Sequence, residues 1–367
     1  MPSKTGNRNQ KKTKKMKRTL SKKSKKVRQL EVKKIMTDEE IKKREGDFFR
    51  EKDFQEIINE NCDVFYRDGK RKVILARFRK NVIPDTLSSI ALEELEESSK
   101  KKHDNRGAAA GALDLDLLPK YVNRNHMVKR SKYVIRGYES LKNGNMVSQI
   151  IGNPVSSNII GFYDKPDRNL GKGAPQCRLT QFNKNHMEKF QRVTPFLEAI
   201  NRQFKKLMPR EHKKQLERAR KTDFVIGDTA FSTVTINHNW RTALHCDSGD
   251  FKQGFGNLTV IERGKYSGGY TVFPQFGVGV DVRSGDFLAM DVHQWHSNTP
   301  IYEKEEDKEY NDKLEKVYND NPEVGTVGLD KKYTRLTFVC YLREKILNCP
   351  NEIDDRFLGP SGHGKII

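Results

Sequence analysis

The sequence predicts an α+β protein in which an antiparallel sandwich or barrel is backed by helices. Two observations predict this class. Residues 186–221 carry apolar side chains at the 3.6-residue spacing of an amphipathic helix. After residue 222 the apolar spacing changes to two or to short runs, which Gly, Asp, Asn or Pro turns separate. Helices followed by several short strands are typical of this class.

The candidate strands follow one another closely in the second half of the chain. They are FVIGDTAFSTVTINHNW, NLTVIER, GGYTVFP, VGVDV, GDFLAMDV and TRLTFVCYLR. A charge-dense insertion, residues 302–333, begins with a helix-prone sequence, so we expect it to lie outside the barrel. The helical section before the strands has an apolar face made of Phe190, Phe196, Ile200 and Phe204.

The segment before these elements predicts a helix, a strand and a second helix. Residues 37–60 combine a capping signature with helical spacing. KVILARFRKNVI is strand-like, and DTLSSIALEELEESSKKK is helical. NRGAAAG, residues 105–111, then predicts either a loop that lies close against another part of the protein or a flexible connector.

The chain is strongly basic, with a formal net charge of +21. Residues 1–35 contain 15 Lys or Arg and one acid, Glu31. Such a segment repels itself and cannot bury much apolar surface, so we expect a disordered basic tail. A solvated tail, a phosphate-binding arm and a nuclear import signal all need only clustered positive charge, and the sequence leaves the three open.

The cysteine spacing and the hydropathy of the sequence indicate in which kind of cellular compartment the protein folds. Cys62, Cys177, Cys246, Cys340 and Cys349 are odd in number and widely spaced, and no two of them form a CxxC pair. We therefore expect neither a disulfide framework nor a structural zinc site, and a reducing compartment. No apolar run approaches the ~18 residues of a membrane span, and no secretory signal is evident.

The stretch ALHCDSGD predicts a metal site. Side chains in a strand alternate between faces, so His245 and Asp247 would point the same way. Downstream, His293 and His296 follow the strand GDFLAMDV, and either could supply a second imidazole. Two histidines and one carboxylate that leave coordination positions open are the ligand set of non-haem Fe(II) oxygenases.

Arg335 is the candidate anchor for a co-substrate. It opens the apolar strand TRLTFVCYLR. A dicarboxylate such as 2-oxoglutarate has a second carboxylate that must be neutralised when it leaves water, and a guanidinium suits that task. The alternative is an arginine at an exposed strand end.

Several stretches together resemble the TET/JBP family of nucleic-acid base oxygenases, in its compact fungal, algal and viral forms. They are NRGAAAG, CRLTQFNKNH, TAFSTVTINHNWRTALHCDSGD, the run from GFGNLTV to HSNTP, and TRLTFVCY. The resemblance covers about residues 105–345 and is densest at 228–300. It implies a double-stranded β-helix oxygenase core of the jelly-roll or cupin type with flanking helices.

The resemblance also implies the cofactors and their ligands. It implies Fe(II), 2-oxoglutarate and O2, with ascorbate as a reductant. The iron ligands would be His245, Asp247 and His296, since the family's distal histidine is followed by a short stretch ending in Thr-Pro, as in HSNTP. Arg335 would hold 2-oxoglutarate, and Arg241, four residues before His245, would assist that carboxylate or pair with Asp247.

Three further residues are expected to meet the substrate. Asp250 stands where the family often has the Asp or Asn that contacts the base. Arg343 stands where several members carry a histidine that faces the base, and this departure leaves the identity of the base open. Asn257 lies in a matching segment and would line the pocket.

The resemblance implies hydroxylation of the methyl group of a methylated pyrimidine in DNA, 5-methylcytosine to 5-hydroxymethylcytosine, on a base flipped from the duplex. The alternatives are the same chemistry on thymine, RNA or a protein side chain, and a non-catalytic basic nucleic-acid-binding protein. We expect a monomer whose basic tail contacts the phosphate backbone. We also expect a nuclear or otherwise intracellular location, which includes a viral protein acting in its host cell.

The expected organisation has four parts. They are a disordered basic tail at 1–35, a helix and strand extension at 36–104, the oxygenase domain at 105–350 and a C-terminal tail at 351–367.

Overall fold

Twenty β-strands and six α-helices make up the part of the chain that the structure, a computed structural model, describes: residues 27–129, 131–165, 176–314 and 331–349. The strands are β1 (Arg28–Val32), β2 (Glu56–Ile58), β3 (Cys62–Asp68), β4 (Arg71–Arg79), β5 (Lys102–His103), β6 (Val122–Lys129), β7 (Val134–Ser140), β8 (Met146–Val147), β9 (Ile151–Gly152), β10 (Val155–Tyr163), β11 (Arg178–Leu179), β12 (Thr233–His238), β13 (Gly256–Arg263), β14 (Ser267–Gly268), β15 (Thr271–Phe273), β16 (Val278–Val280), β17 (Phe287–Met290), β18 (Ser297–Asn298), β19 (Ile301–Tyr302) and β20 (Thr334–Tyr341). The helices are α1 (Asp38–Lys43), α2 (Asp85–Ser99), α3 (Gln181–Asn185), α4 (Met187–Leu207), α5 (Pro209–Ala219) and α6 (Glu305–Asn311). The α+β prediction is confirmed.

A ten-stranded sheet forms one layer of the molecule. Its strands lie in the order β1-β3-β4-β17-β13-β20-β12-β10-β11, and β5 also pairs with β10. All neighbours run antiparallel except β1 and β3. A four-stranded sheet of order β18-β15-β16-β2 packs against part of it through a shared hydrophobic cluster that includes Leu258, Phe273, Val280 and Leu288.

The helices cover the other face of the large sheet. Phe190, Phe196, Ile200 and Phe204, the predicted apolar face of α4, are all buried and share one cluster with Phe338 of β20. The predicted helical section at 186–221 is therefore confirmed, with one difference. It divides into α4 and α5 at Pro209, which has no N–H to continue the first helix and opens the second.

The N-terminal extension belongs to both sheets rather than standing apart from the main domain. Strands β3 and β4 join the large sheet beside β17, and β2 pairs in parallel with β16. The predicted strand KVILARFRKNVI and the helix after it are confirmed as β4 and α2. The boundary drawn at residue 104 therefore does not separate two packing units.

Two sequence predictions in this extension are wrong. Residues 28–32 are not disordered, because β1 pairs with β3 along its whole length and buries Val32. The helix expected over 37–60 begins at the predicted cap, where Thr37 and Glu40 form a capping box, but ends at Lys43. Gly46 then adopts φ +84°, a left-handed conformation in which a Cβ would also collide with the Tyr133 ring, so the helical spacing beyond it was coincidental.

Alternation along the central strands decides which side chains reach the functional site. Val234 and Ile236 of β12 face the helices, while Thr235 and Asn237, which alternate with them along the strand, line a cavity. In β20, Leu336, Phe338 and Cys340 face the helices, and Thr337, Val339 and Tyr341 line the same cavity. Around the cavity, the face of the large sheet opposite the helices thus carries polar side chains.

Three further features complete the fold. Strands β6 to β9 form a separate four-stranded sheet with its own small core of Leu118, Val122, Ile135, Tyr138 and Ile151. Strand β14 pairs with β19, and α6 begins the predicted charged insertion, of which residues 315–330 lie outside the described part. Within the described residues, no helix has the length and apolar character that crossing a membrane requires.

Cys177 and Cys349 form a disulfide, with Cα atoms 5.9 Å apart. The wide spacing of the cysteines predicted no disulfide, and for this pair the prediction is wrong, because 172 residues of sequence separation do not prevent contact after folding. Cys62, Cys246 and Cys340 are free thiols. Of the two predicted tails, 1–35 and 351–367, residues 1–26 of the first and all of the second lie outside the described residues.

Candidate metal centre and substrate cavity

His245, Asp247 and His296 lie together at one end of the cavity, as the sequence predicted. Their ligand atoms all lie within 4.8 Å of one another, so among the described residues these three side chains form a cluster that could hold a metal ion. His245 Nε2 is 3.5 Å from Asp247 Oδ1, and His296 Nε2 is 3.7 Å from Asp247 Oδ2. One carboxylate therefore lies between two imidazoles.

The backbone holds these three side chains in place. His245 and His296 exchange two N–H···O=C bonds of 3.0 Å in an isolated antiparallel bridge, and the Asp247 N–H donates to the Val292 carbonyl. The segment around His245 is not a regular strand, so the strand assumed for it is wrong. The two side chains still point the same way because the bridge gives the segment an extended local geometry.

Each histidine presents its Nε2 to the cluster. Nδ1 of His245 lies 2.8 Å from the Ala243 carbonyl, and Nδ1 of His296 lies 2.9 Å from the Gln294 carbonyl. A carbonyl only accepts, so each Nδ1 carries the proton and each Nε2 keeps a lone pair for a metal. Burial, with His245 as the next cause, lowers the pKa of His296 to about 4, so that the ring is neutral at pH 7.

The cavity beside this cluster has a volume of about 590 Å³, within the range of sites for small molecules. It lies between β12, β20 and the loops that carry His245 and Arg106. Its floor and walls come from the polar face of the large sheet and from these loops; among the lining residues are Thr235, Asn237, Thr337, Tyr341, Trp240 and Asn298.

Arg335 is buried at the start of β20, with 2% of its surface exposed. Its Nη1 donates to the Thr337 hydroxyl, which lines the cavity, while Nε and Nη2 have no hydrogen-bond partner. A buried cation with two unpaired donors needs an anion, and a carboxylate satisfies both donors at once. Together with the three-ligand cluster, these residues fit Fe(II) and a dicarboxylate such as 2-oxoglutarate.

Asp250 and Arg343 are neighbours in the wall of the cavity. They form an isolated antiparallel bridge, and both line the cavity. Asp250 is buried, its Oδ2 has no partner, and burial followed by the charge of Asp247 raises its pKa well above its usual value. This wall of the cavity therefore offers an acceptor beside a donor.

A buried carboxylate fixes the orientation of Arg343. Its Nε donates to Asp164 Oδ1 over 2.7 Å, and its guanidinium lies 4.7 Å from the centre of the Tyr163 ring. Burial alone would lower the pKa of Arg343, but Tyr341 and Asp164 outweigh it, so the group remains a cation. Asp164 itself is 2% exposed.

Two predicted site residues lie elsewhere. Arg241 donates to the carbonyls of Phe49 and Asn298 and stacks on Phe48, and it forms no ion pair with Asp247. It does not line the cavity, because the irregular backbone before His245 breaks the assumed strand alternation. The predicted pair of Arg241 with Asp247 is therefore not formed, and its role beside the co-substrate stays a prediction.

Asn257 is also misplaced by the sequence prediction. It is fully buried in β13, donates to the carbonyls of Phe255 and Cys340, and does not line the cavity. Side chains alternate between the two faces of a strand. Leu258 is the β13 residue that lines the cavity, so its neighbour Asn257 points to the opposite face. His293, the alternative ligand, donates from Nε2 to the Phe251 carbonyl and lies outside the cavity lining.

Sequence reasoning missed Arg106, which lies in the NRGAAAG loop. The loop packs against the site, as one of its two interpretations predicted, and its residues Asn105 to Ala109 contribute to the cavity lining. Arg106 donates to the Ser157 hydroxyl over 2.5 Å, its Nε is unpaired, and burial lowers its pKa. A charged residue beside a run of Gly and Ala was the available signal, because small residues permit a close approach to the cavity.

Comparison with known proteins is consistent with this geometry. Residues 158–344 match the sequence model of the Tet/JBP family, described as the oxygenase domain of the 2OGFeDO superfamily. The thymine dioxygenase JBP1 of Trypanosoma brucei brucei is 33% identical over 159 residues, which are 42% of this chain and 18% of that protein. The bifunctional helicase and thymine dioxygenase JBP2 of Leishmania tarentolae is 28% identical over 208 residues, 56% of this chain and 16% of that protein.

The chain thus spans less than a fifth of the length of these curated relatives. Among solved structures, NgTET1 in complex with 5mC DNA aligns over 78% of this chain and 79% of its own, with 10% identity and a TM-score of 0.42. The family match covers about half of the chain, and the described residues supply a fitting ligand set. The chain belongs to the Tet/JBP family, the oxygenase domain of the 2OGFeDO superfamily, and its His245, Asp247 and His296 cluster fits the Fe(II) that this superfamily uses with 2-oxoglutarate and O2.

Proposed function

We propose that the protein hydroxylates the methyl group of a methylated pyrimidine in DNA, and that the base is 5-methylcytosine, converted to 5-hydroxymethylcytosine. The observation that carries the proposal is the cavity itself, which joins the His245, Asp247 and His296 cluster to the Asp250 and Arg343 wall. A base would present its methyl group to the three-ligand cluster and its hydrogen-bonding edge to Asp250 and Arg343.

The choice of cytosine rests on the donors and acceptors of that wall. Cytosine offers an N4 amino donor next to two adjacent acceptors, N3 and O2. Asp250 has an unpaired carboxylate oxygen that can accept from N4, and Arg343 can donate two parallel hydrogen bonds to N3 and O2. Thymine has a donor at N3, so only one of its neighbouring acceptors would remain for the guanidinium.

The roles of the other residues follow from their positions. Bound iron and 2-oxoglutarate supply the oxidising chemistry when O2 is present. We propose that His245, Asp247 and His296 hold the metal, and that Arg335 with Thr337 holds the distal carboxylate of 2-oxoglutarate. The two facing sheets would then be the two sheets of a double-stranded β-helix.

The duplex must open before a base enters this cavity. Extrusion of the base costs a few kcal/mol of stacking and pairing, which contacts to the backbone must offset. We propose that the basic tail at residues 1–35 and the exposed lysines of α5 contribute phosphate contacts, that the protein acts as a monomer, and that the tail directs it to the nucleus.

Thymine in DNA is the second candidate. The JBP1 and JBP2 relatives are named thymine dioxygenases, and Asp250 would accept from thymine N3–H as readily as from cytosine N4. The same site therefore supports both assignments, with cytosine favoured by the paired donors of Arg343.

One experiment separates the candidates. Duplexes that contain 5-methylcytosine or only unmodified thymine, and a 5-methylcytosine RNA of the same sequence, are incubated with the protein, Fe(II), ascorbate and 2-oxoglutarate, and the nucleosides are analysed by mass spectrometry. We expect 5-hydroxymethylcytosine from the first substrate and none from the Asp247→Ala variant. Oxidised thymine alone would replace the cytosine assignment, and succinate without any oxidised base would overturn action on DNA.

A further inference from the structure

We propose that the separate sheet β6–β9 is a DNA-docking surface that binds the duplex within about half a helical turn of the base in the cavity. The proposal rests on the proposed action on DNA. We call residues 120–147, which form strands β6 to β8 and their connections, the basic sheet.

The charge of the basic sheet is predominantly positive. Its described basic residues are Lys120, Arg124, Lys129, Lys132, Arg136 and Lys142, and all are exposed, whereas Glu139 is its one acidic residue. Glu139 is already paired with His126. Arg124 is paired with Asp116, whereas Lys120, Lys129 and Arg136 have no ion-pair partner among the described residues. Exposed cations without an ion-pair partner match the regular negative charge of a phosphate backbone.

The tip of the basic sheet is apolar as well as basic. Leu141 and Met146, each 61% exposed, are the most exposed large hydrophobic residues of the described chain. They flank the turn between β7 and β8, where Gly144 has φ +72° and Lys142 is exposed. A narrow hairpin that presents apolar side chains between cations suits a DNA groove, where such side chains contact or wedge between bases.

The basic sheet is fixed to the rim of the cavity. Tyr133, which lines the cavity, donates to the Glu45 carbonyl over 3.0 Å, and Lys132 donates to the same carbonyl over 2.7 Å. The N–H of Leu113, two residues after the NRGAAAG loop, donates to the Lys132 carbonyl, so the segment that follows this loop is joined to the basic sheet by backbone. The sheet therefore cannot move independently of the cavity mouth.

The length of β7 limits the distance of the tip from the cavity. The strand runs from Val134, next to Tyr133, to Ser140, and at ~3.3 Å per residue it extends about 20 Å. Successive phosphates on one DNA strand are ~3.4 Å apart along the helix axis, so this upper limit corresponds to about six base-pair steps. The tip would thus meet the duplex on one side of the modified base and within about half a turn of it.

Two variants and their matched controls test this surface. The first replaces Lys129, Arg136 and Lys142 by Ala, and its control replaces Lys70, Arg71 and Lys72 by Ala in the β3–β4 hairpin, which is separated from the cavity by β17 in the sheet order. The second replaces Leu141 and Met146 by Ser. Its control replaces Leu115 and Leu117 by Ser; these are exposed leucines flanked by Asp114 and Asp116.

The first measurement is affinity for unmethylated duplex DNA by fluorescence anisotropy over a range of salt concentrations, which needs no turnover. The slope of log K against log salt is negative, and each lost phosphate contact reduces its magnitude by about 0.9. The slope of the triple Ala variant should therefore be smaller in magnitude by about 2 to 3 than that of the wild type. The tip variant should bind more weakly with an unchanged slope, and both controls should behave as the wild type. An unchanged affinity in both variants, or an equal loss in the controls, would overturn the docking surface.

The second measurement is oxidation of duplexes in which the methylated base has from two to twelve base pairs on one side. We expect kcat/KM of the wild type to rise up to about six flanking base pairs and then to level off, and the rise to vanish in the two variants. Oxidation of a methylated trinucleotide should be unaffected, which also shows that the variants fold. If the wild type oxidised no base, the proposed function would fail while the anisotropy result still decided the docking surface.

Discussion

Replacement of Arg335 by Met should separate co-substrate binding from stability. The side chain is 2% exposed, and its Nε and Nη2 have no partner in the protein. Hydrogen bonds that involve a charged group contribute about 1.5–3 kcal/mol each, so loss of two to a carboxylate removes about 3–6 kcal/mol. At ~1.4 kcal/mol per tenfold, the KM for 2-oxoglutarate should rise by about 10² to 10⁴.

The same substitution should leave the protein without ligand at least as stable as the wild type. It replaces a buried, incompletely satisfied cation by an apolar side chain of similar length, a type of change that is often neutral or stabilising. The assays are succinate formation over a range of 2-oxoglutarate concentrations and thermal unfolding with and without 2-oxoglutarate. In the wild type, a hundredfold excess over Kd should stabilise the fold by about 2.7 kcal/mol, and in the variant this shift should disappear.

Arg241→Met is the matched control. Its guanidinium already donates to the carbonyls of Phe49 and Asn298 and stacks on Phe48, so the KM for 2-oxoglutarate should stay near the wild-type value. An unchanged KM in the Arg335 variant, or the same increase in the Arg241 variant, would refute the assignment of Arg335 as the carboxylate anchor.

The remaining predictions concern the metal, the base and the wall of the cavity. His296→Ala should lose bound iron, measured by elemental analysis, and succinate formation, whereas His293→Ala should retain both; equal losses would contradict the choice of ligand. Asp250→Ala should lower kcat/KM for methylated DNA by about 10- to 100-fold, as expected for ~1–3 kcal/mol of base recognition, without changing the KM for 2-oxoglutarate. Asp164→Asn breaks the buried pair with Arg343 and should cost about 3–5 kcal/mol in denaturant unfolding; a loss below 1 kcal/mol would show that this pair does not anchor the guanidinium.

Residues whose position follows from helical or strand periodicity could be predicted from the sequence. The apolar face of α4 and the strands after residue 222 were recognisable because their spacing reflects one buried face. The His245, Asp247 and His296 cluster was recognisable because an oxygenase metal site needs that combination of residue types in that order.

Residues whose position depends on tertiary contacts could not be predicted. Arg241 was assigned by counting along a strand that the backbone does not form, and Asn257 was assigned by proximity in sequence although its parity turns it away. Arg106 and Asp164 are separated from the ligands by more than 80 residues, and only the folded chain brings them to the cavity wall or behind it. The Cys177–Cys349 disulfide belongs to the same class.

The pairing of β4 with β17 and of β2 with β16 bears on how the enzyme can be shortened. A fragment cut to the family-matched residues 158–344 would expose the hydrogen-bonding edges of both β16 and β17 to solvent. Unprotected edges of this kind recruit strands from other molecules, so such a fragment should aggregate on expression. A stable fragment must therefore keep Arg28–Arg79, whose strands cover these edges and whose Gly46 and Asp47 exchange backbone hydrogen bonds with Leu244, the residue before His245.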